Sequence, residues 1–402
     1  MDWPPHRRRT VPWAQRRCAG TRADRMLSEV TVAIPPSIAT LEIPGGATTL
    51  EIEALDAIAR LDQASDGQTV GALGMMLIRL ESVASSKIEH LEAGVGDYAR
   101  AMAGSRANES ATAMVAASAA IHDLVSSVEP GGRFTVDRIL TAHRALMIDD
   151  PGERSYAGRF RDVQNWIGGS DHSPRDALFV PPPPELVAPL MDDLLAFAHR
   201  DDLPPLLQAA VVHAQFESIH PFTDGNGRIG RALIQAVLRR RGNARTVVVP
   251  IASALAANRD RYYGLLTSYR DGDVRPIADG IATAARIAAD ACLPLPQRLN
   301  DLSREWRATT GFRRGSAADA LLDLLPARPV VTAGTVEEEL GVSYSAANNA
   351  VLALVESGIL SPLNDRKRDR AFVASEVMAE LTALERLMGA RAAGAGGVAS
   401  RA

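Results

Sequence analysis

Cysteine and lysine are nearly missing from this chain, and each shortage excludes something. Two cysteines in 402 residues, Cys18 and Cys292, stand far apart and fit no zinc or haem spacing, which removes both a disulfide scaffold and a Cys-based metal site. A reducing, cytoplasmic compartment is therefore expected. Lysine occurs only at Lys87 and Lys367, so almost every basic residue is arginine, a bias that reads as genome composition and not as chemistry. Long apolar runs are also absent, which argues against membrane-spanning helices and membrane partners. At 46% hydrophobic residues the chain is too apolar to be wholly disordered, and its length calls for two or three domains.

Charge is unevenly spread. The formal net charge is −4. Seven arginines (Arg7, Arg8, Arg9, Arg16, Arg17, Arg22 and Arg25) against Asp2 and Asp24 make residues 1–25 strongly basic and leave the body acidic, which disfavours nucleic acid as the body's partner. The same segment has no apolar core of a secretory signal, contains Pro4, Pro5 and Pro12, and shows no period. Residues 1–30 are expected to form a disordered basic arm, with a transit peptide, or a true start near Met26, as the alternatives.

From about residue 47 to 300, Ala and Leu recur at three- and four-residue spacing with Gly or Pro at the breaks, so the fold class is mainly α. One interruption, residues 159–184, replaces helix formers with β-branched, aromatic, Gly and Pro residues. It is expected to be a β-hairpin flap around Gly168 and Gly169. The expected division is a helical region over 31–120, a core over 121–300, a third module over 310–380 and a disordered Ala/Gly-rich tail over 389–402. In the third module, helices at Ser316–Leu325, Thr335–Leu340 and Ser343–Glu356 precede two short strands around a basic turn, the order of a winged helix-turn-helix.

The informative stretch is HPFTDGNGRIGR, His220 to Arg231, between a nearly all-apolar helix and a second helix. A Gly-Asn-Gly turn feeding a helix N-terminus points backbone N–H groups outward at the positive dipole end, which suits phosphate. Arg228 and Arg231, three residues apart, reach the same region and clamp phosphate oxygens. Asp224 would be repelled by phosphate unless Mg²⁺ lay between them. His220 is the one group there suited to taking a proton near neutral pH. Singly, each feature has a bland reading: a capping histidine, a turn, a solvated helix face. Within twelve residues, their conjunction is what carries weight.

This stretch resembles the signature of the Fic family, H-P-F-x-[D/E]-G-N-G-R-x-x-R, at every fixed position. The likeness extends to His213-Ala-Gln-Phe-Glu217, to the flap from Gly158 to Gly169 with FVPPPP after it, and to Tyr262-Tyr263 with Gly272-Asp273, so it covers roughly residues 35–300. The resemblance implies a Fic-type helical bundle. It also implies AMP transfer from ATP to a Ser, Thr or Tyr hydroxyl of a protein, with Mg²⁺, or Mn²⁺ in its place. His220 is then the base and Asp224 the metal ligand. Gly225, Asn226 and Gly227 cradle the α-phosphate, and Arg228 and Arg231 hold the departing phosphates. Ile167, Gly168, Gly169 and Ser170 cover the nucleotide and pair with the protein substrate, and Tyr262 and Tyr263 lie near the adenine.

Ser85-Ser-Lys-Ile-Glu-His90 is similar to the family's inhibitory motif [S/T]-x-x-x-E-[G/N], which makes Glu89 a brake acting through Arg231, although His90 departs from the pattern. In the C-terminal module the third helix has Asn348 and Asn349 but no Lys or Arg, and only Arg366, Lys367, Arg368 and Arg370 of the wing are basic. DNA binding there is expected to be weak, with an interaction or homodimer-supporting role favoured. Self-modification is a further expectation. The competing functions are a nucleotide-sensing DNA-binding regulator and an enzyme that removes AMP from modified proteins. The intact His220 favours the transferase, because a sensor needs no base.

Overall fold

A computed structural model describes residues 3–15, 19–43, 45–65, 70–104, 108–363 and 370–399. Strands β1 (Arg7–Pro12) and β2 (Glu29–Ile34) flank a short helix, α1 (Arg22–Met26). Helices α2 (Thr49–Ala64), α3 (Val70–Ile88), α4 (Val95–Met102), α5 (Glu109–Ser126), α6 (Val136–Met147) and α7 (Val187–Ala198) follow. Next come α8 (Pro205–Ile219), α9 (Asn226–Arg240), α10 (Ile251–Leu255), α11 (Arg259–Arg270), α12 (Arg275–Cys292) and α13 (Leu295–Thr310). The chain ends with α14 (Ala317–Leu324), β3 (Val330–Thr332), α15 (Ala333–Leu340), α16 (Tyr344–Glu356), β4 (Leu360–Pro362), β5 (Ala371–Ala374) and α17 (Ser375–Ala399). The mainly α class read from the periodicity is the fold observed.

These elements form two compact units, one from residues 1–52, 119–243 and 259–283, the other from 53–118, 244–258 and 284–402. The first is built around α8, which is buried on every side from Leu206 to Ile219. Helix α9 lies close against it, because Gly230 faces α8: a Cβ at that position would stand 2.7 Å from Glu217 Oε1 and 3.1 Å from Phe216. A side chain there would force the helices apart. At the edge of this unit, β1 and β2 pair antiparallel from Arg7↔Ile34 to Pro12↔Glu29. The Ala33 N–H donates to the Val180 carbonyl at 2.8 Å, joining β2 to the flap.

The N-terminal segment is therefore not the disordered arm expected of it. Trp3 is buried, Trp13 meets Trp166 edge-on at 5.6 Å, and Val11 packs on Val30, Val32, Ile34 and Val180. The buried carboxylate of Asp24 accepts hydrogen bonds from Thr21 and from Ser173, the latter at 2.7 Å. Only one face of the segment is apolar, and its partners lie far along the chain, so local periodicity gave no sign of it.

In the second unit, β3, β5 and β4 form an antiparallel sheet in that order beside α14, α15 and α16, each N-capped by a hydroxyl, from Ser316, Thr332 and Ser343 respectively. The sequence reading missed β3. Arg366, Lys367 and Arg368 lie outside the described residues. The tail expected to be disordered continues α17 as far as Ala399. Alanine has the highest helix propensity, and extending an existing helix needs no new nucleus.

Candidate active site

The His220–Arg231 loop begins where α8 stops. His220 takes left-handed backbone angles (φ 49°), and its N–H donates to the Phe216 carbonyl at 2.8 Å, which ends the helix. Gly225 is also left-handed (φ 76°), and a Cβ there would lie 3.0 Å from Leu146 Cδ2 and 3.3 Å from Met147 Sδ. Glycine is required on both counts. The side chain of Asn226 closes the loop on itself: its Oδ1 accepts from the Phe222 N–H and its Nδ2 donates to the Phe222 carbonyl, both at 2.9 Å. The expected phosphate contact of Asn226 is thus left to its backbone N–H. No side chain caps α9, so its positive end faces the loop with its first N–H groups uncapped.

Two side chains from outside the motif hold this backbone in place, and the sequence reading named neither. Arg161 is buried, and its guanidinium donates to the carbonyls of His220 (2.8 Å), Val163 (3.0 Å), Pro182 (2.5 Å) and Ile219 (3.4 Å), tying the flap stem to the end of α8. Burial pulls its pKa down to about 10, so it stays charged at neutral pH. His143 of α6 stacks on Phe222, with ring centroids 3.7 Å apart. Its Nδ1 accepts the Gly158 N–H at 3.0 Å, which leaves Nε2 to donate to the Asp224 carbonyl at 3.1 Å. Burial depresses the His143 pKa to about 4, in keeping with that neutral tautomer.

The imidazole of His220 is largely buried. Its Nδ1 has no hydrogen-bond partner among the described residues, and Glu217 Oε2 lies 3.9 Å away, beyond hydrogen-bonding range. Burial, reinforced by the charges of Arg161 and Arg270, pushes its pKa down to about 3, so the ring is neutral at neutral pH but lacks the near-neutral pKa that the sequence reading expected of it. Asp224 is half exposed; its Oδ1 accepts the Gly225 N–H at 2.6 Å and its Oδ2 lies 3.3 Å from Arg228 Nη2. Arg228 is buried, and its Nε lacks a partner among the described residues, leaving an ionic donor for a bound anion. Arg231 is fully buried, with Nη1 3.5 Å from the Tyr262 hydroxyl. Tyr262 in turn sits 2.8 Å from His213 Nε2, so it acts on the site through Arg231. Tyr263 remains 40% exposed on the same helix, α11.

No group of three or more His, Cys, Asp or Glu side chains able to hold a metal occurs among the described residues. One accessible carboxylate, Asp224, fits a Mg²⁺ ion that takes its other ligands from phosphates and water. The flap is tighter than a two-stranded hairpin. Ile167 and Phe179 form a single antiparallel bridge, Gly168 and Gly169 both have positive φ, and the Ser170 N–H donates to the Arg175 carbonyl at 3.1 Å. Arg270 lies 3.6 Å from the centroid of the Phe179 ring beneath the bridge. Helix α3 closes with the Leu91 N–H on the Ser86 carbonyl and the His90 N–H on the Lys87 carbonyl. Glu89 is the capping residue, and His90 is left-handed at φ 61°. That conformation is why Gly or Asn is usual after such a glutamate.

Residues 133–238 match the model of the Fic/DOC family. Among curated proteins, the chain is 34% identical over 173 residues to a protein adenylyltransferase Fic of Drosophila willistoni, covering 41% of this chain and 31% of that protein. A protein of the same description from Nematostella vectensis is 32% identical over 169 residues, covering 41% and 36%. The chain thus spans about a third of the length of the curated relatives it matches. Among solved structures, a Fic family protein from Desulfovibrio desulfuricans aligns with a TM-score of 0.51 at 20% identity, over 83% of this chain and 98% of that one. A Fic domain containing signaling protein from Bacteroides thetaiotaomicron aligns at 0.50 and 17% identity, over 61% and 97%. Over residues 133–238, which hold the loop and the flap stem described above, this chain is similar to the Fic/DOC family, and its fold is similar to that of the solved Fic structures.

Proposed function

We propose that this chain is a protein adenylyltransferase. A Ser, Thr or Tyr oxygen of the target attacks the α-phosphorus of ATP, the bond from that phosphorus to the bridging oxygen breaks, and pyrophosphate leaves. His220 takes the hydroxyl proton. The observation that carries the reading is the convergence on one loop of a neutral imidazole with an open ring nitrogen, an uncapped helix N-terminus and a buried arginine with an unused donor. Such transfer needs positioning and charge stabilisation more than covalent chemistry, and these are the parts it uses. Asp224 would hold Mg²⁺, which when bound neutralises phosphate charge, and Arg228 and Arg231 would bind the phosphates of the leaving group. The names of the curated relatives support the same reaction.

Target binding follows from the flap, where Ile167 to Ser170 would receive an extended target segment by strand addition. Glu89 would restrain the transfer from the hydrogen-bonded end of α3. The helices and strands after residue 316 would serve as a winged-helix interaction module. The deciding experiment incubates purified protein and Mg²⁺ with ATP labelled at the α or the γ phosphate, in the presence of cell extract. Label transferred from the α position alone is expected. Label from the γ position, or none from either with the Glu89→Gly variant, would refute the assignment.

A further inference from the structure

We propose that the outer edge of β1 is a docking site for an acidic, extended segment of a partner protein. The strand register and the 2.7 Å hydrogen bond from the Trp13 N–H to the Ser28 carbonyl set the alternation of the ladder. Arg7, Arg9 and Val11 exchange hydrogen bonds with β2, whereas Arg8 and Thr10 turn their N–H and carbonyl groups away from it. Ala33, opposite Arg8, accordingly sends its own N–H the other way, to Val180. Among the described residues no strand pairs with the outward groups of Arg8 and Thr10. Pro12, with no N–H, ends the edge.

The side chains give this edge its sign. Arg7, Arg8 and Arg9 are all exposed, and successive residues of a strand point to opposite faces, so guanidinium groups stand on both sides of the free backbone. No ion pair forms to any of the three among the described residues. Charge on an edge strand is the usual guard against pairing with a second copy, and here two such edges would oppose arginine to arginine. An incoming strand with Asp or Glu at alternate positions meets the reverse situation: it gains the open ladder positions and charge-assisted bonds to arginine. The edge is also held ready, because Trp3, Trp13 and the His6 N–H, which donates to the Arg270 carbonyl at 2.9 Å, anchor the segment on both sides of the strand. Little ordering cost remains for binding. A nucleic acid would satisfy the arginines but offers no backbone amides to Arg8 and Thr10.

The test uses the full chain and a fluorescein-labelled heptapeptide of alternating Glu and Val, read by fluorescence anisotropy. A Lys-Val heptapeptide and an oligothymidylate of equal charge serve as comparisons. The acidic peptide is expected to bind and the Lys-Val peptide not to. The double variant Arg7→Glu/Arg9→Glu should weaken binding by about tenfold or more, as should raising NaCl from about 50 to about 500 mM. Thr10→Pro, which deletes an outward N–H and, of the bonds to β2, only the exposed 3.3 Å hydroxyl contact with Thr31, should weaken it severalfold. Should that variant not fold, hydrogen exchange at the Arg8 and Thr10 amides of the unaltered protein is the substitute, and it must slow when peptide is added. Absence of binding, binding indifferent to the charge reversal, unprotected amides, or equal affinity for the oligothymidylate would each overturn the proposal.

Discussion

His220 is held by its backbone from one side and left open on the other. Arg161 fixes the carbonyl, α8 fixes the N–H, and Nδ1 has no partner among the described residues. Removing the imidazole should therefore abolish AMP transfer yet leave ATP affinity nearly intact, whereas Asp224→Ala should lose the Mg²⁺-dependent part of that affinity as well. Calorimetric ATP titration with and without Mg²⁺, beside AMP incorporation, separates the two; equal losses of affinity would contradict the division of roles. Arg161 acts without touching the reaction. Arg161→Lys keeps the charge but reaches fewer of the four carbonyls, so it should lower both melting temperature and kcat while leaving KM for ATP little changed. An unchanged kcat would remove its positioning role.

At the scale of single elements, the end of α3 carries the sharpest expectation. His90 occupies a left-handed position at φ 61°, which costs a β-carbon-bearing residue roughly 1–2 kcal/mol. His90→Gly should raise the melting temperature of the unit that contains α3, since helix ends of this kind favour glycine. If Glu89 is the brake, a firmer helix end lowers transfer further, and Glu89→Gly raises it by on the order of a hundredfold. The two variants moving activity in the same direction would sink the inhibitory reading. The likeness of Ser85 to His90 to such a motif was visible in sequence because the six residues are contiguous. The reason for its last position appeared only with the backbone angles.

For the molecule as a whole, acid should be the weak point. Burial holds the pKa of His6, His213 and His220 at about 3 and that of His143 at about 4, against 6.5 in an unfolded chain. Below pH 6.5 the unfolded chain binds protons that the folded unit refuses, so the stability present above 6.5 drains away as pH falls toward 4. The loss is about 1.4 kcal/mol per pH unit for each such histidine once its unfolded form is protonated. Melting temperatures at pH 7, 5.5 and 4.5 check this, and His6→Asn should flatten the slope by about one proton's worth. Deleting residues 1–15 should lower the melting temperature by about 5 °C or more, because it strips Trp3, Val11 and Trp13 from apolar partners. A truncated protein as stable as the full chain would show that β1 adds nothing to the fold.

The backbone of the His220–Arg231 loop and the helical class were readable from the chain alone, since both depend on neighbours in sequence: a Gly-Asn-Gly turn sets its own backbone angles, and a buried helix shows its apolar run. Tertiary structure alone decided what relies on distant partners. Arg161 finds carbonyls on three separate segments, His143 reaches Asp224 from another helix, and a basic, proline-containing segment becomes a strand only because β2 and the flap stand beside it. A strand's hydrogen bonds and a buried guanidinium's acceptors lie wherever the fold brings them, and no local period in the sequence records that.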